Sequence, residues 1–266
     1  MRRASTCLAL LGLTALGALG LPAVSSAAPC SGAGPCPTVT LFAKAIPIPG
    51  FKGTGNCYGC GTALEIKYTI KGTEGPGGVP SPLTHVNFFV PKGTKIHAGG
   101  FVTCTKETLE GPIGPPACPK KSQASPVGSA NVAQKIGPET VREAATVQAF
   151  FAPGGGLQFY TNAASPISAQ LVAATGAYHP VSGLFSQEFS SEVKLITTLP
   201  EAPPVSTESI NLKVGAAYKK GKETVSYGTA PKKGQCPKGG FPFKSELTFQ
   251  TGETVTVNYK APCPTH

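Results

Sequence analysis

The residues with the clearest chemical potential are the cysteines. Nine are present, and Cys57-Tyr58-Gly59-Cys60 has the spacing of a redox dithiol. That chemistry needs the first thiol at a helix N-terminus, where the dipole stabilises a thiolate. Here Gly61-Thr62-Ala63 runs directly into a strand pattern. A four-cysteine zinc site formed with Cys30 and Cys36 is the second reading by ligand type. Structural disulfides are the third and the expected one, because exported thiols oxidise. Cys104 and Cys118 flank a Gly/Pro-rich loop, and Cys236 and Cys263 bracket the last two strand candidates, so each couple is expected to pair. Cys30, Cys36, Cys57 and Cys60 then pair among themselves in one of three ways. No metal or cofactor is expected.

Acid–base candidates are sparse. All thirteen acidic residues are Glu, and there is no Asp. This excludes an aspartic-protease dyad, an EF-hand loop and any Asp-based triad built from this chain alone. The sequence has no GxSxG, HExxH, P-loop or dinucleotide fingerprint. His85 opens a strand candidate, His97 and His179 read as loop residues, and His266 ends the chain. Glu188 and Glu192 lie four apart; in a strand they share a face about 13 Å apart at ~3.3 Å per residue. That is too far for either glycosidase geometry. Glu65 and Glu246 fall on polar strand faces. A hydrolase using Glu with His85, His97 or His179 remains the alternative to a non-catalytic protein.

Positive charge exceeds negative, 23 basic residues to 13 acidic, for a formal net charge of +10. Lys219, Lys220, Lys222, Lys232, Lys233, Lys238 and Lys244 cluster late. They suggest a patch for an anionic envelope polymer or a membrane surface. Solvated loop lysines that deter edge association are the simpler reading. No nucleic acid is expected, since no stacking motif accompanies the lysines. Glycan binding would lack Trp, which is absent, and would fall to Tyr58, Tyr160, Tyr178, Tyr218 and Tyr227.

The N-terminus sets the compartment. Met1-Arg2-Arg3 precedes an uncharged apolar run, and Ser25-Ser26-Ala27 supplies small residues for a signal peptidase. A secretory signal over residues 1–27 is expected, cut after Ala27; an uncleaved anchor is the alternative. Its removal takes away Arg2, Arg3 and Cys7. The formal charge falls by two, to +8, and the cysteines become an even set of eight. The protein is thus expected to be secreted or held at the cell surface.

Period-2 alternation positions everything else. Leu64, Ile66, Tyr68 and Ile70 alternate with Glu65, Lys67, Thr69 and Lys71. Ile210, Leu212 and Val214 alternate with Asn211 and Lys213. Phe241, Phe243, Leu247 and Phe249 share one face, and Val255, Val257 and Tyr259 another. Such patterns mark antiparallel strands with one buried face. Further strand candidates are 39–43, 86–90, 127–134, 146–151, 157–160, 167–173 and 193–198, with one helical turn at 106–109. The 33 Gly and 27 Pro supply the turns between them, as at Gly75-Pro76-Gly77-Gly78. The expected fold is all-β, an antiparallel β-sandwich of ten or more short strands stapled by disulfides. It is organised as an N-terminal Cys-containing segment at 28–37 and a β domain at 38–266. The Pro-rich stretch 199–204 is the one candidate sub-boundary.

One recurrent pattern carries a resemblance. Phe89-Val90-Pro91-Lys92-Gly93 leads through Gly99-Gly100-Phe101-Val102-Thr103-Cys104 to Cys118-Pro119-Lys120 and Gly128. Cys236-Pro237-Lys238-Gly239-Gly240-Phe241-Pro242-Phe243-Lys244 leads to Glu246-Leu247-Thr248-Phe249 and Pro262-Cys263-Pro264. Over about 85–135 and 200–263 this resembles secreted Cys-containing β proteins of actinobacteria, notably thermoleophilic soil relatives. The resemblance implies a bacterial, exported β protein and carries no activity, cofactor or site residue. The resulting expectation is an exported, non-catalytic binding or envelope-associated module.

Overall fold

A computed structural model describes residues 30–32, 36–72, 78–164 and 166–265. The signal segment, the 75–77 turn and His266 lie outside the described residues. Strands are the dominant regular structure among the described residues. In order these are β1 (Thr38–Ile46), β2 (Gly61–Lys71), β3 (Leu83–Pro91), β4 (Lys95–Ile96), β5 (Gly128–Ile136), β6 (Glu139–Phe151), β7 (Leu157–Ala163), β8 (Ala169–Pro180) and β9 (Phe185–Val193). There follow β10 (Ser206–Val214), β11 (Ala217–Lys220), β12 (Glu223–Ser226), β13 (Gly228–Thr229), β14 (Phe241–Phe249) and β15 (Thr254–Ala261). A helical turn, α1 (Lys106–Leu109), forms where expected; the Thr105 hydroxyl accepts from the Thr108 N–H at 3.2 Å and caps it.

Alternation explains which side of each strand is dry. β14 reads FPFKSELTF with perfect in–out burial, so Phe241, Phe243, Ser245, Leu247 and Phe249 all point inward. Val255, Val257 and Ala261 do the same on β15. These faces meet those of β1, β2, β3, β6, β7, β9 and β10 in one main core.

The path through the sheet is β15-β14-β3-β9-β8-β7-β6-β5-β10-β2-β1. Each of the ten pairings is antiparallel. Ten reversals make the two edge strands run in the same direction. The sheet curls until β1 lies alongside β15, and Phe42 meets Tyr259 across the seam at 5.3 Å between ring centroids. No backbone ladder joins these edges among the described residues, so the sheet stays open there. Two layers of one curled sheet therefore face each other over the core, giving the expected disulfide-bonded, sandwich-like β fold.

The two layers are also tied by a buried polar link. Tyr68 on β2 donates its hydroxyl to Ser245 Oγ on β14 at 2.9 Å, and Ser245 donates onward to the Asn87 carbonyl on β3 at 2.9 Å.

The end of β6, residues 149–151, and the start of β7, residues 157–158, are buried on both faces. Val147, Ala149 and Phe151 enter the main core, while Phe150 points outward. The Cys104–Cys118 loop covers that outer side, packing Leu109 with Phe150, Tyr160 and Val172. Residues after 204 enter the same sheet, since β10 pairs with both β2 and β5. Gly215 ends β10 at φ 148°, where an added Cβ would lie 2.5 Å from the Ala63 Cα; only glycine fits this close crossing.

Two local expectations need correction. Residues 193–198 do not form a strand: Val193 is the last residue of β9, and the Lys194 N–H bonds the Ala173 carbonyl as the chain leaves the sheet. The strand lies earlier, in a polar stretch where Phe189 and Ser191 are its buried positions. His179 is in β8 rather than a loop. The late hairpin β11–β12 and the two-residue strands β4 and β13 have too few alternating residues to show in the sequence.

Candidate functional site

All eight cysteines in the described residues are paired. The bridges are Cys30–Cys36, Cys57–Cys60, Cys104–Cys118 and Cys236–Cys263. The first two resolve the open three-way choice. The CxxC is thus closed in a loop ahead of β2, and no group of metal-ligating side chains occurs among the described residues. Four disulfides fit an oxidising compartment. No helix among the described residues is long and apolar enough to cross a membrane.

Among the described residues the Glu and His side chains form no tight constellation. His85 Nε2 lies 4.0 Å from Glu192 Oε1, beyond hydrogen-bond reach, and both side chains are exposed. These two, with Glu107 and His179, border an open outer depression over β3, β8 and β9. Glu188 and Glu192 share the outer face of β9, opposite His179 and His85 respectively. His97 follows β4, its N–H bonded to the Tyr227 carbonyl at 2.8 Å.

Other carboxylates serve the architecture. Glu143 accepts from the Ala164 and Ile167 N–H groups, each at 2.7 Å. Glu110 accepts from Val172 N–H, and Glu208 pairs with Arg142 at 2.9 Å. Glu65 pairs with Lys67 at 3.0 Å, and Glu246 with Lys244 at 2.8 Å.

The lysines separate into two elements. Lys219, Lys220 and Lys222 sit on the β11–β12 hairpin, while Lys232, Lys233 and Lys238 sit on the 230–240 loop, all exposed. Lys219 Nζ donates to Thr224 Oγ1 at 2.6 Å. Lys244 does not join them: besides Glu246 it sits 3.7 Å from the centroid of the Phe89 ring, a cation–π contact on the outer face of β14. Tyr160 and Tyr227 are not surface platforms, being 7% and 3% exposed.

What the sequence does not show is a space inside the sheet. A cavity of about 440 Å³ lies between β1, β2, β3, β14 and β15, within the ~300–1,000 Å³ usual for small-molecule sites. Phe42, Leu64, Val90, Phe241, Phe243 and Tyr259 contribute to its walls. A second, of about 180 Å³, lies farther along the interior against Ile66, Phe88, Phe159, Phe189 and Leu212. Tyr178 and Val214 line both and stand between them.

Tyr178 keeps some accessible surface, but that surface faces these spaces. Burial holds its hydroxyl, and those of Tyr68 and Tyr227, well above the ordinary tyrosine range. The three stay neutral at physiological pH. Tyr227 lines the larger cavity, and its buried hydroxyl has no hydrogen-bond partner among the described residues. Its ring continues an aromatic row through Phe151 at 5.0 Å and Tyr178 at 6.2 Å, and on to Phe189.

The rim is tied together by hydrogen bonds and two disulfides. Gly59 N–H bonds the Pro231 carbonyl at 2.8 Å, and Ala230 N–H bonds the Cys60 carbonyl at 2.9 Å. The Cys57–Cys60 turn is thereby fastened to the lining residues Ala230 and Pro231. Cys263 sits between the lining residues Pro262 and Pro264 and is bridged to Cys236. These two bridges thus frame a cavity that the sequence does not show. Its walls come from strands distant in sequence, and period-2 patterning says which side of each strand is dry without saying whether the dry sides fill the space between them. No family model, curated protein or solved structure matches the chain. The fold and the cavity define an all-β protein with a mainly apolar, partly open pocket between its layers.

Proposed function

We propose that this is an exported, non-catalytic binding protein that carries an apolar small molecule inside its curled sheet. The observation that supports this most directly is the cavity of about 440 Å³, walled mainly by apolar and aromatic side chains behind a disulfide-held rim. Native interiors are ordinarily close-packed, with few voids larger than a water molecule. A rim fixed before binding reduces the ordering cost of capture. Release to the cell surface or medium follows from the signal-like N-terminus and suits the four disulfides. The exposed lysines of the hairpin and the 230–240 loop favour an added contact with anionic envelope polymer or membrane. The hydrolase alternative lacks a Glu–His pair in hydrogen-bond reach among the described residues.

The test uses oxidised protein recovered from the culture medium of its host. Titration with Nile red, a neutral environment-sensitive dye, should give a saturable blue-shifted signal at one equivalent. Val214→Trp, which fills the space between the two cavities, should reduce it while the circular dichroism spectrum is kept. A dye signal unaffected by that substitution would refute the interior site.

A further inference from the structure

We propose that the occupant of the larger cavity is a single-chain anionic amphiphile, a long-chain carboxylate, with its tail in the apolar interior and its head group at Lys44. This rests on the binding function above and adds the chemical class of the ligand. Among the described residues the cavity wall includes one charged residue, Lys44, and no carboxylate; Asn56, Thr62 and Thr94 add the only other non-aromatic polar side chains there. So few polar groups could not satisfy a sugar or a peptide buried there, since each unpaired polar group taken out of water is costly.

Lys44 is exposed on β1 and available for an anion. Its cross-strand neighbour Glu65 is engaged by Lys67 at 3.0 Å. More positive charge adjoins the lining: Lys232 and Lys233 follow Pro231, and Lys260 lies between Tyr259 and Ala261. The smaller cavity repeats the pattern, with Lys194 its one charged lining residue and again no acid. Two apolar spaces, each lined among the described residues by a lysine and by no carboxylate, are electrostatically complementary to an anionic head group and repel a cationic one. A carboxylate also satisfies ammonium and amide donors with acceptor oxygens alone.

The experiment is isothermal titration calorimetry of the oxidised full chain at low ionic strength. The probes are octanoate, decanoate, dodecanoate, 1-decanol and decyltrimethylammonium, all below their aggregation concentrations. Burial of each added methylene should tighten carboxylate binding about fourfold. Decanoate should bind more tightly than 1-decanol, and decyltrimethylammonium should bind weakest. Lys44→Met should weaken decanoate by about three- to fivefold, the scale of an exposed ion pair, and leave 1-decanol unchanged. Equal affinity for decanoate and 1-decanol, or a Lys44→Met effect of equal size on both, would overturn the proposal and leave the apolar-carrier function standing. Preference for the cationic probe would do the same. Failure of every amphiphile together with Nile red would remove both.

Discussion

The buried link between the two layers gives an ordered set of expected stabilities. Tyr68 is 7% exposed and Ser245 fully buried. Tyr68→Phe removes one hydrogen bond, but Ser245 keeps its donor on the Asn87 carbonyl. The expected loss is about 1 kcal/mol, the net worth of one intramolecular hydrogen bond. Ser245→Ala is more damaging, because it strands the Tyr68 hydroxyl in a space it cannot leave. An orphaned buried polar group costs about 1–3 kcal/mol, so about 2 kcal/mol is expected. The double variant removes the orphan too and should fall short of the sum by about 1 kcal/mol. Tyr227→Phe is the control: its hydroxyl is buried without a partner among the described residues, so its removal should cost nothing or stabilise. Urea unfolding of the oxidised protein at neutral pH, with unchanged m-values, measures all four. If Ser245→Ala costs no more than Tyr68→Phe, or if Tyr227→Phe costs as much as either, the accounting of buried hydroxyls is wrong.

Tyr68, Tyr178 and Tyr227 have hydroxyls held above their unfolded value, so the unfolded state loses these protons first as pH rises. Stability should be independent of these groups below about pH 10 and then fall, by about 4 kcal/mol per pH unit at most for three groups. Absorbance at 295 nm tests this, because those three of the seven tyrosines should ionise only with unfolding. Replacing Cys104 and Cys118 by Ala opens a loop of about 15 residues and should cost about 3 kcal/mol in the chain-entropy estimate, read by thermal unfolding. Glu143→Ala removes the acceptor for two N–H groups of the β7–β8 turn and should cost about 1.5–3 kcal/mol, with Gln restoring part of it. Hydrogen exchange at Ala164 and Ile167 should accelerate selectively; unchanged protection there would refute the role given to Glu143.

Legibility varied with the length of the pattern. The β14 and β15 faces were readable residue by residue, since eight or nine alternating positions leave no competing period. The Cys104–Cys118 and Cys236–Cys263 bridges were readable because each couple flanks a single local feature. β9 was not: Ser, Gln and Glu dominate it, and its burial comes from lying between β3 and β8, which no local pattern encodes. His179 was misplaced for a related reason, because Tyr178 beside it faces the interior only once β8 and β9 are paired.

The amino-acid sequence by itself determined that this is a strand-built, disulfide-bonded chain without an Asp-based catalytic apparatus. Composition and period-2 spacing are local properties, and they suffice for that. Only the tertiary structure decided that the strands form one curled sheet whose two edges run in the same direction, and that Cys57–Cys60 pairs within itself. It also decided that Tyr178, Tyr227 and Val214, from separate parts of the chain, line one common space. A cavity is a shortfall of volume summed over residues far apart in the chain, so it becomes visible when the sheet has closed around it.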